Sequence, residues 1–194
     1  MTDILHVSWE YPPYRIIGQL AWDIQEMVRG LQKMFNVVVV HPGPLTKRYR
    51  DGEIDVYMFH DEGYPKRNFI VYAYELTFNS LIKLPYILPY KDYLIIHSHE
   101  WLSGMIGLIL ARTFKKPLIL SVYSLERMRS SMNNMLSLSI ESIENYLLDE
   151  AAHILCHNPE VFSMLQGKYG GKVTLYRDID QLRDLYLKFA GNRL

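Results

Sequence analysis

The chain has 194 residues, which is enough for one domain with a buried core of its own. Its 21 basic residues equal its 21 acidic residues, so the formal net charge is zero. This balance excludes a broad electrostatic attraction to nucleic acid or to an anionic membrane surface, although single small anions can still bind locally.

Short β-branched and apolar runs alternate along the chain with longer segments of helical period. The predicted strands are Ile4–Trp9, Val37–His41, Ile54–Phe59, Phe69–Tyr74, Tyr93–His97, Leu118–Tyr123, His153–Cys156 and Val173–Tyr176. The predicted helices are Gln19–Met34, Glu75–Leu84, Gly104–Phe114, Ser137–Glu150, Pro159–Tyr169 and Gln181–Phe189. Strands that alternate with helices, several of them apolar on both faces, predict an α/β fold with a mainly parallel sheet and helices on both faces.

Two stretches interrupt this alternation. Residues Gly43–Gly52 are polar and basic, and the strands on either side of them predict a hairpin or β-arm at the edge of the sheet. Residues Ser124–Asn134 follow a predicted strand and are predicted to form a loop. Farther on, Asn158-Pro159 is a strong start signal for a helix, and Gly170-Gly171 ends it.

The sequence contains one cysteine, Cys156, which lies in an apolar run and is predicted to be a buried thiol. A single cysteine forms no disulfide framework, and the N-terminus lacks the basic and apolar regions of a signal peptide. Polar residues or prolines interrupt every apolar run before it reaches the ~20 residues that a transmembrane helix needs. We therefore expect a cytoplasmic protein without a transmembrane segment.

In open α/β sheets, ligands bind outside the carboxyl ends of the strands, and the first such loop here is Trp9–Gln19. Its Gly18, at the start of a helix, could offer backbone N–H groups to a phosphate, with Arg15 as the counter-charge. An ordinary strand-to-helix turn explains the same residues equally well. The loop lacks the three spaced glycines of the dinucleotide-binding fingerprint.

The second loop, His97–Gly104, combines imidazole, carboxylate and indole groups that suit a polyhydroxylated ligand. We interpret His97 as a packed strand residue and Glu100 as a first-turn acid, and we prefer a functional role for His99. His97 and His99 would share one face of a strand, but the sequence shows no third metal ligand nearby, so no metal site is predicted. The absence of a G-x-S-x-G motif excludes a serine hydrolase of the α/β class.

These residues resemble the GT-B glycosyltransferases, and among them the glycogen and starch synthases and related retaining enzymes. The first loop, Trp9-Glu10-Tyr11-Pro12-Pro13 with Arg15 and Gly18-Gln19-Leu20-Ala21, is similar to the family's acid, Tyr-Pro-Pro, basic residue and Gly-Gly-Leu-Ala. The family's His-x-His-Asp-Trp appears as His97-Ser98-His99-Glu100-Trp101. A Thr-Ile-His-type strand appears as Ser121-Val122-Tyr123, and the interdomain linker appears as Leu175–Asp180.

The resemblance covers nearly the whole chain but only the N-terminal half of the family. It implies one Rossmann-like domain over residues 1–194, in which 175–194 form a linker-like strand end and a helix docked back on the domain. The family's C-terminal domain, which holds most of the nucleotide-sugar site, has no counterpart. The second glycine of the first loop is replaced by Gln19, which weakens the expectation of direct phosphate contact there.

The resemblance also implies roles for individual residues. His99 would hydrogen-bond the transferred sugar near its anomeric centre, and Glu100 would support it. The other positions expected to face substrate or phosphate are Glu10, Tyr11, Arg15, Gly18, Gln19, Trp101, Tyr123 and Ser124. For this geometry we expect His99 to be accessible to solvent beside Arg15 and Gly18.

Two functions remain open from the sequence. The chain is either the acceptor-side half of a transferase that needs a separate donor-binding domain, or a non-catalytic module that binds a glycan or a protein. Nucleotide sugar would be a donor substrate, and no cofactor is expected. The expected partners are a donor-domain subunit or a second copy of the chain, together with a glycan acceptor.

Overall fold

The structure is a computed structural model that describes residues 2–62 and 68–191. Its strands are β1 (Asp3–Val7), β2 (Asn36–Gly43), β3 (Lys47–Asp51), β4 (Ile54–His60), β5 (Ile95–His99), β6 (Leu118–Val122), β7 (His153–Cys156) and β8 (Val173–Leu175). Its helices are α1 (Gln19–Leu31), α2 (Phe69–Ile87), α3 (Glu100–Phe114), α4 (Glu126–Arg129), α5 (Met135–Glu150), α6 (Pro159–Tyr169) and α7 (Ile179–Gly191).

All eight strands form one sheet in the order β3-β4-β2-β1-β5-β6-β7-β8. Every neighbouring pair is parallel except β3 and β4, which pair antiparallel at the edge. The predicted edge arm is therefore present as β3. The order reverses direction at β1, which lies between β2 and β5, and this arrangement opens a crevice at the carboxyl ends of β1 and β5.

The core lies in two layers because alternate residues of each strand point to opposite faces. Leu5 and Val7 of β1 pack in the layer covered by α2, α3, α5 and α6, whereas Ile4 packs in the layer covered by α1 and α7. Burying each large apolar side chain contributes roughly 1.5–3 kcal/mol. The prediction of a mainly parallel sheet with helices on both faces is confirmed.

The predicted strand Phe69–Tyr74 is wrong, because these residues form the first turns of α2. The side chain of Asn68 accepts hydrogen bonds from the backbone N–H groups of Ile70 and Val71 and so caps the helix. Leu76, Ser80 and Leu84 then recur on the buried face at four-residue spacing. The outer face of α2 is also apolar, and this obscured the helical period in the sequence.

Strand β5 has its predicted length but is shifted along the chain: it begins at Ile95 instead of Tyr93, and its end extends from His97 to His99. The extension follows from its position between two parallel neighbours, because His99 still pairs with Ser121 of β6. The predicted loop 124–134 contains the short helix α4, whose first N–H group, that of Glu126, is held by the carboxylate of Glu144. Both differences come from long-range pairing.

The C-terminal helix α7 packs beside α1, whereas α6 lies on the opposite face of the sheet. At the start of α7, the side chain of Asp178 accepts a hydrogen bond from the N–H group of Gln181 at 2.8 Å, and the side chain of Gln181 accepts one from the N–H group of Arg177 at 2.9 Å. Leu182 and Tyr186 are fully buried. The last residues of the predicted segment 175–194, namely 192–194, lie outside the described residues.

Candidate functional site

The crevice at the carboxyl edge of the sheet is bordered by the segments that follow five parallel strands. The loop from Ser8 to Gly18 follows β1, and Glu100 follows β5. Tyr123 follows β6, His157 follows β7 and Tyr176 follows β8. The topology therefore brings together residues from the whole length of the chain, as the rule for open α/β sheets predicts.

The side chain of Glu10 links the beginning of the first loop to its end. Its side chain is buried, and its carboxylate accepts hydrogen bonds from the backbone N–H groups of Ile17 at 2.8 Å and Gly18 at 3.0 Å. The N–H group of Gly18 is the one that the sequence suggested for phosphate, and a carboxylate of the chain itself already occupies it. Gln19 beside them is exposed and donates to Asp23.

Arg15 forms a buried ion pair and does not project freely into the crevice. Its guanidinium donates to the carboxylate of Asp61 and to the hydroxyl of Tyr72, and the side chains of Arg15 and Asp61 are only 9% and 4% exposed. Tyr11 is also buried, and its hydroxyl donates to Asp51 at 2.8 Å. Arg15 and Tyr11, which the resemblance places toward substrate or phosphate, thus form bonds that fix the loop to β3 and to the segment after β4.

The expectation that His99 is accessible to solvent is wrong. Its side chain is fully buried, and its Nε2 lies 3.0 Å from Nδ1 of His6 on the neighbouring strand. The reason is the position of the strand end, because β5 continues to His99 and keeps it inside the sheet on the face covered by α1 and α7. Burial lowers the pKa of His6 to about 3 and holds the pKa of His99 well below its usual range, so both imidazoles are neutral at pH 7.

His6, His97 and His99 together form a cluster of three buried imidazoles whose closest ligand atoms all lie within 4.8 Å of one another. Sequence reasoning missed His6, although its direct pairing with His97 in adjacent strands follows once β1 and β5 are neighbours. Five of the six ring nitrogens already form hydrogen bonds. The sixth, Nδ1 of His99, has no partner among the described residues. Hydrogen bonds therefore account for the arrangement of these rings without a metal ion.

Glu100 joins the ends of β5 and β6. It begins α3 with a left-handed backbone (φ 64°), and its carboxylate accepts hydrogen bonds from the N–H groups of Tyr123 at 2.6 Å and Ser124 at 3.2 Å. Burial raises the pKa of Glu100 to about 7, although these bonds and Arg129 oppose the shift. Trp101 is buried against Phe69. Glu100 is thus a structural link between two loops.

Two open clefts lie along this edge. The first, of about 470 Å³, is lined by Tyr14, Arg15, Ile16, Ile17, Gly43, Pro44, His60, Asp61 and Glu62. The second, of about 600 Å³, is lined by Asp23, Glu26, Met27, Gly30, Tyr123, His157, Tyr176, Arg177, Asp178 and Ile179. We call them the β4 cleft and the β7 cleft, after His60 at the end of β4 and His157 just beyond β7.

Three aromatic rings lie against one another in the β7 cleft, and two of them are stacked. The rings of Tyr123 and His157 are nearly parallel, with centroids 3.9 Å apart, and Tyr176 follows at 4.7 Å from His157. Sequence reasoning singled out Tyr123 and missed His157 and Tyr176. Their position just beyond strands β7 and β8 was the signal that would have found them.

The sequence profile of Glycosyltransferase Family 4 matches residues 21–176, which is most of the chain and includes the ends of β5, β6 and β7. The chain belongs to Glycosyltransferase Family 4. This family 4 chain is 30% identical over 125 residues to an uncharacterised glycosyltransferase of Methanocaldococcus jannaschii, an alignment that covers 63% of the chain and 31% of the relative. The chain thus spans about a third of the length of the curated relative that it matches.

Solved structures show the same fold. Sucrose-phosphate synthase from Thermosynechococcus elongatus superposes with a TM-score of 0.69 over 90% of this chain and 47% of that one, at 14% identity. The catalytic domain of starch synthase IV from Arabidopsis thaliana, bound to ADP and acarbose, gives 0.58 over 96% of this chain and 50% of that one, at 12% identity. The family 4 chain therefore has the N-terminal-type domain of the GT-B fold.

Within the described residues, none of the helices is both long enough and apolar enough to span a bilayer.

Proposed function

We propose that this family 4 chain is the acceptor-side half of a retaining, glycogen-synthase-like glycosyltransferase, which transfers a sugar only when a donor-binding domain covers the carboxyl edge of its sheet. The observation that supports the proposal is that the single α/β domain of this chain superposes on only about half of each of two larger synthases. The donor half would come from another subunit or from another segment of a longer protein. The donor would be a nucleotide sugar.

The β4 cleft is the best place for the acceptor on this half. It combines a partly exposed aromatic ring, Tyr14, with the polar side chains of His60 and Glu62. An aromatic face beside hydrogen-bonding groups suits a sugar, which presents both C–H and O–H groups. The buried Arg15–Asp61 pair would keep the wall of this cleft in place. The proposal assigns no sugar contact to His99, because its side chain is buried.

One observation favours the second candidate, a non-catalytic module that binds a glycan or a protein partner. Glu10 already holds the N–H groups at the start of α1, and Asp61 already holds Arg15. The groups on this half that resemble phosphate contacts are thus engaged within the chain. A glycan in the β4 cleft needs none of them.

Calorimetry and a transfer assay together test the proposal. We expect uridine, adenosine and guanosine diphosphate sugars to bind the chain weakly, without turnover, and we expect a soluble α-glucan to bind measurably. A Tyr14→Ala variant should weaken glycan binding, with Tyr146→Ala on the exposed side of α5 as the matched control. Low-micromolar affinity for a nucleotide sugar would contradict the acceptor-side assignment. A pull-down that recovers a donor-domain glycosyltransferase would favour the catalytic function over the binding module.

A further inference from the structure

A continuous line of buried polar side chains runs from the β7 cleft to the end of β5. It passes through His157, Ser121, His97, Tyr186, His6 and His99, and we call it the histidine chain. Nε2 of His157 lies 3.0 Å from Oγ of Ser121, which lies 2.7 Å from Nε2 of His97.

The second half of the histidine chain continues through the C-terminal helix. Nδ1 of His97 lies 2.5 Å from the hydroxyl of Tyr186, which lies 3.3 Å from Nε2 of His6. Nδ1 of His6 then lies 3.0 Å from Nε2 of His99. Tyr186 is fully buried and is contributed by α7, so the docking of this helix completes the line.

Each member can donate one hydrogen bond and accept another, which makes the bonds interdependent. A neutral imidazole has one N–H group and one bare nitrogen, and each hydroxyl has one proton. The three histidines of the buried cluster are neutral because burial lowers their pKa values. If every bond contains one proton, each member must donate to its neighbour on the same side along the line. Only two arrangements of the protons then remain, one for each direction.

The two ends of the line decide between these arrangements. Nδ1 of His99 is buried and has no partner among the described residues. An unpaired buried N–H group is rarer than an unpaired acceptor, so a bare nitrogen is favoured there. His157 at the other end is partly exposed where it lines the β7 cleft, and water can accept a hydrogen bond from its Nδ1.

We propose that the histidine chain is a polarised hydrogen-bond relay, in which each bond sets the direction of the next: His6, His97 and His99 carry their proton on Nε2, and His157 carries it on Nδ1. Tyr186 is the positioning residue that links the two halves. The inference goes beyond the proposed function and does not depend on it, because it concerns only where protons lie in the folded chain. These assignments of proton positions are tied to one another through Tyr186.

Long-range ¹H–¹⁵N correlation spectra of the whole chain, labelled with ¹⁵N-histidine and recorded at pH 8, test the proposal. We expect an Nε2–H signature for His6, His97 and His99 and an Nδ1–H signature for His157. A mixed pattern, in which His97 and His6 carry their protons on different nitrogens, would overturn the relay, and so would the fully reversed pattern.

Two variants test the positioning role. Tyr186→Phe removes the central hydroxyl, and we expect His6 and His97 to lose their shared signature and to populate both tautomers. Tyr93→Phe removes a buried hydroxyl from the opposite layer and should leave all four signatures unchanged. If Tyr186→Phe leaves them unchanged, or if Tyr93→Phe disturbs them equally, Tyr186 does not couple the halves. If Tyr186→Phe does not fold, Ser121→Ala replaces it, with mixing expected at His157 and unchanged signatures again counting against the relay.

Discussion

Lowering the pH from 7 to 5.5 is expected to remove roughly 5 kcal/mol from the free energy of unfolding, because the folded chain buries its histidines in neutral form. Burial lowers the pKa of His6 and His157 to about 3 and that of His41 and His153 to about 4. His97 and His99 are also shifted well below their usual range. Six of the seven histidines therefore bind protons much more weakly in the folded state than in the unfolded chain.

The magnitude follows from the number of protons that each state binds. At pH 5.5 an imidazole of the unfolded chain, with a pKa of ~6.5, is about nine-tenths protonated, so six of them bind about five protons that the folded state lacks. Glu100 acts in the opposite direction, because its raised pKa of about 7 lets the folded state keep a proton that the unfolded state releases above pH ~4.5. A net uptake of about four protons gives a slope of roughly 5 kcal/mol per pH unit at pH 5.5.

Urea unfolding followed by circular dichroism at pH 8, 7, 6 and 5.5 measures this slope. Since a domain of this size typically has ~5–15 kcal/mol of stability, we expect acid unfolding near pH 5. His153→Gln should reduce the slope at pH 5.5 by about one proton, or ~1.4 kcal/mol per pH unit. A free energy of unfolding that changes by less than about 1 kcal/mol between pH 7 and 5.5 would refute the reasoning.

Three further predictions concern packing, charge and the C-terminal helix. Gly107→Ala should lower the free energy of unfolding by ~1–3 kcal/mol, because the added methyl group would lie 1.6 Å from the hydroxyl oxygen of Ser98. Gly167→Ala has open space around it and should raise the free energy of unfolding by up to ~1 kcal/mol in the same urea titration. Asp61→Asn should lower the free energy of unfolding by ~3 kcal/mol by leaving the guanidinium of Arg15 buried without a counter-ion, and an unchanged urea midpoint would contradict this. A chain that ends at Asp180 lacks the buried residues of α7, and its free energy of unfolding should be lower by ~5 kcal/mol. A melting temperature within one or two degrees of that of the full chain would show that the helix is not docked.

The alternation of strands and helices could be predicted from the sequence because it depends on neighbours a few residues away. The run Val37–Val40 predicts a covered strand, and Asn158-Pro159 predicts the start of α6, where the structure places it. The GT-B motifs around Glu10 and Glu100 also identify the correct edge of the sheet. Segment 69–74 was predicted incorrectly because α2 is apolar on its exposed face as well, so that its local composition favours a strand.

The state of the site residues depended on the tertiary structure. Arg15 meets Asp61 across 46 residues of sequence, His6 meets His99 across 93, and Tyr186 meets His6 across 180. Exposure and protonation of these groups depend on which elements pack over them, and a sequence pattern carries no record of that packing. A histidine at the end of a strand looks like a ligand in the sequence. Here β5 continues to this histidine and α7 docks over it, so water is excluded from its ring. Burial in a medium of low polarity then keeps the ring neutral and bonded to its neighbours.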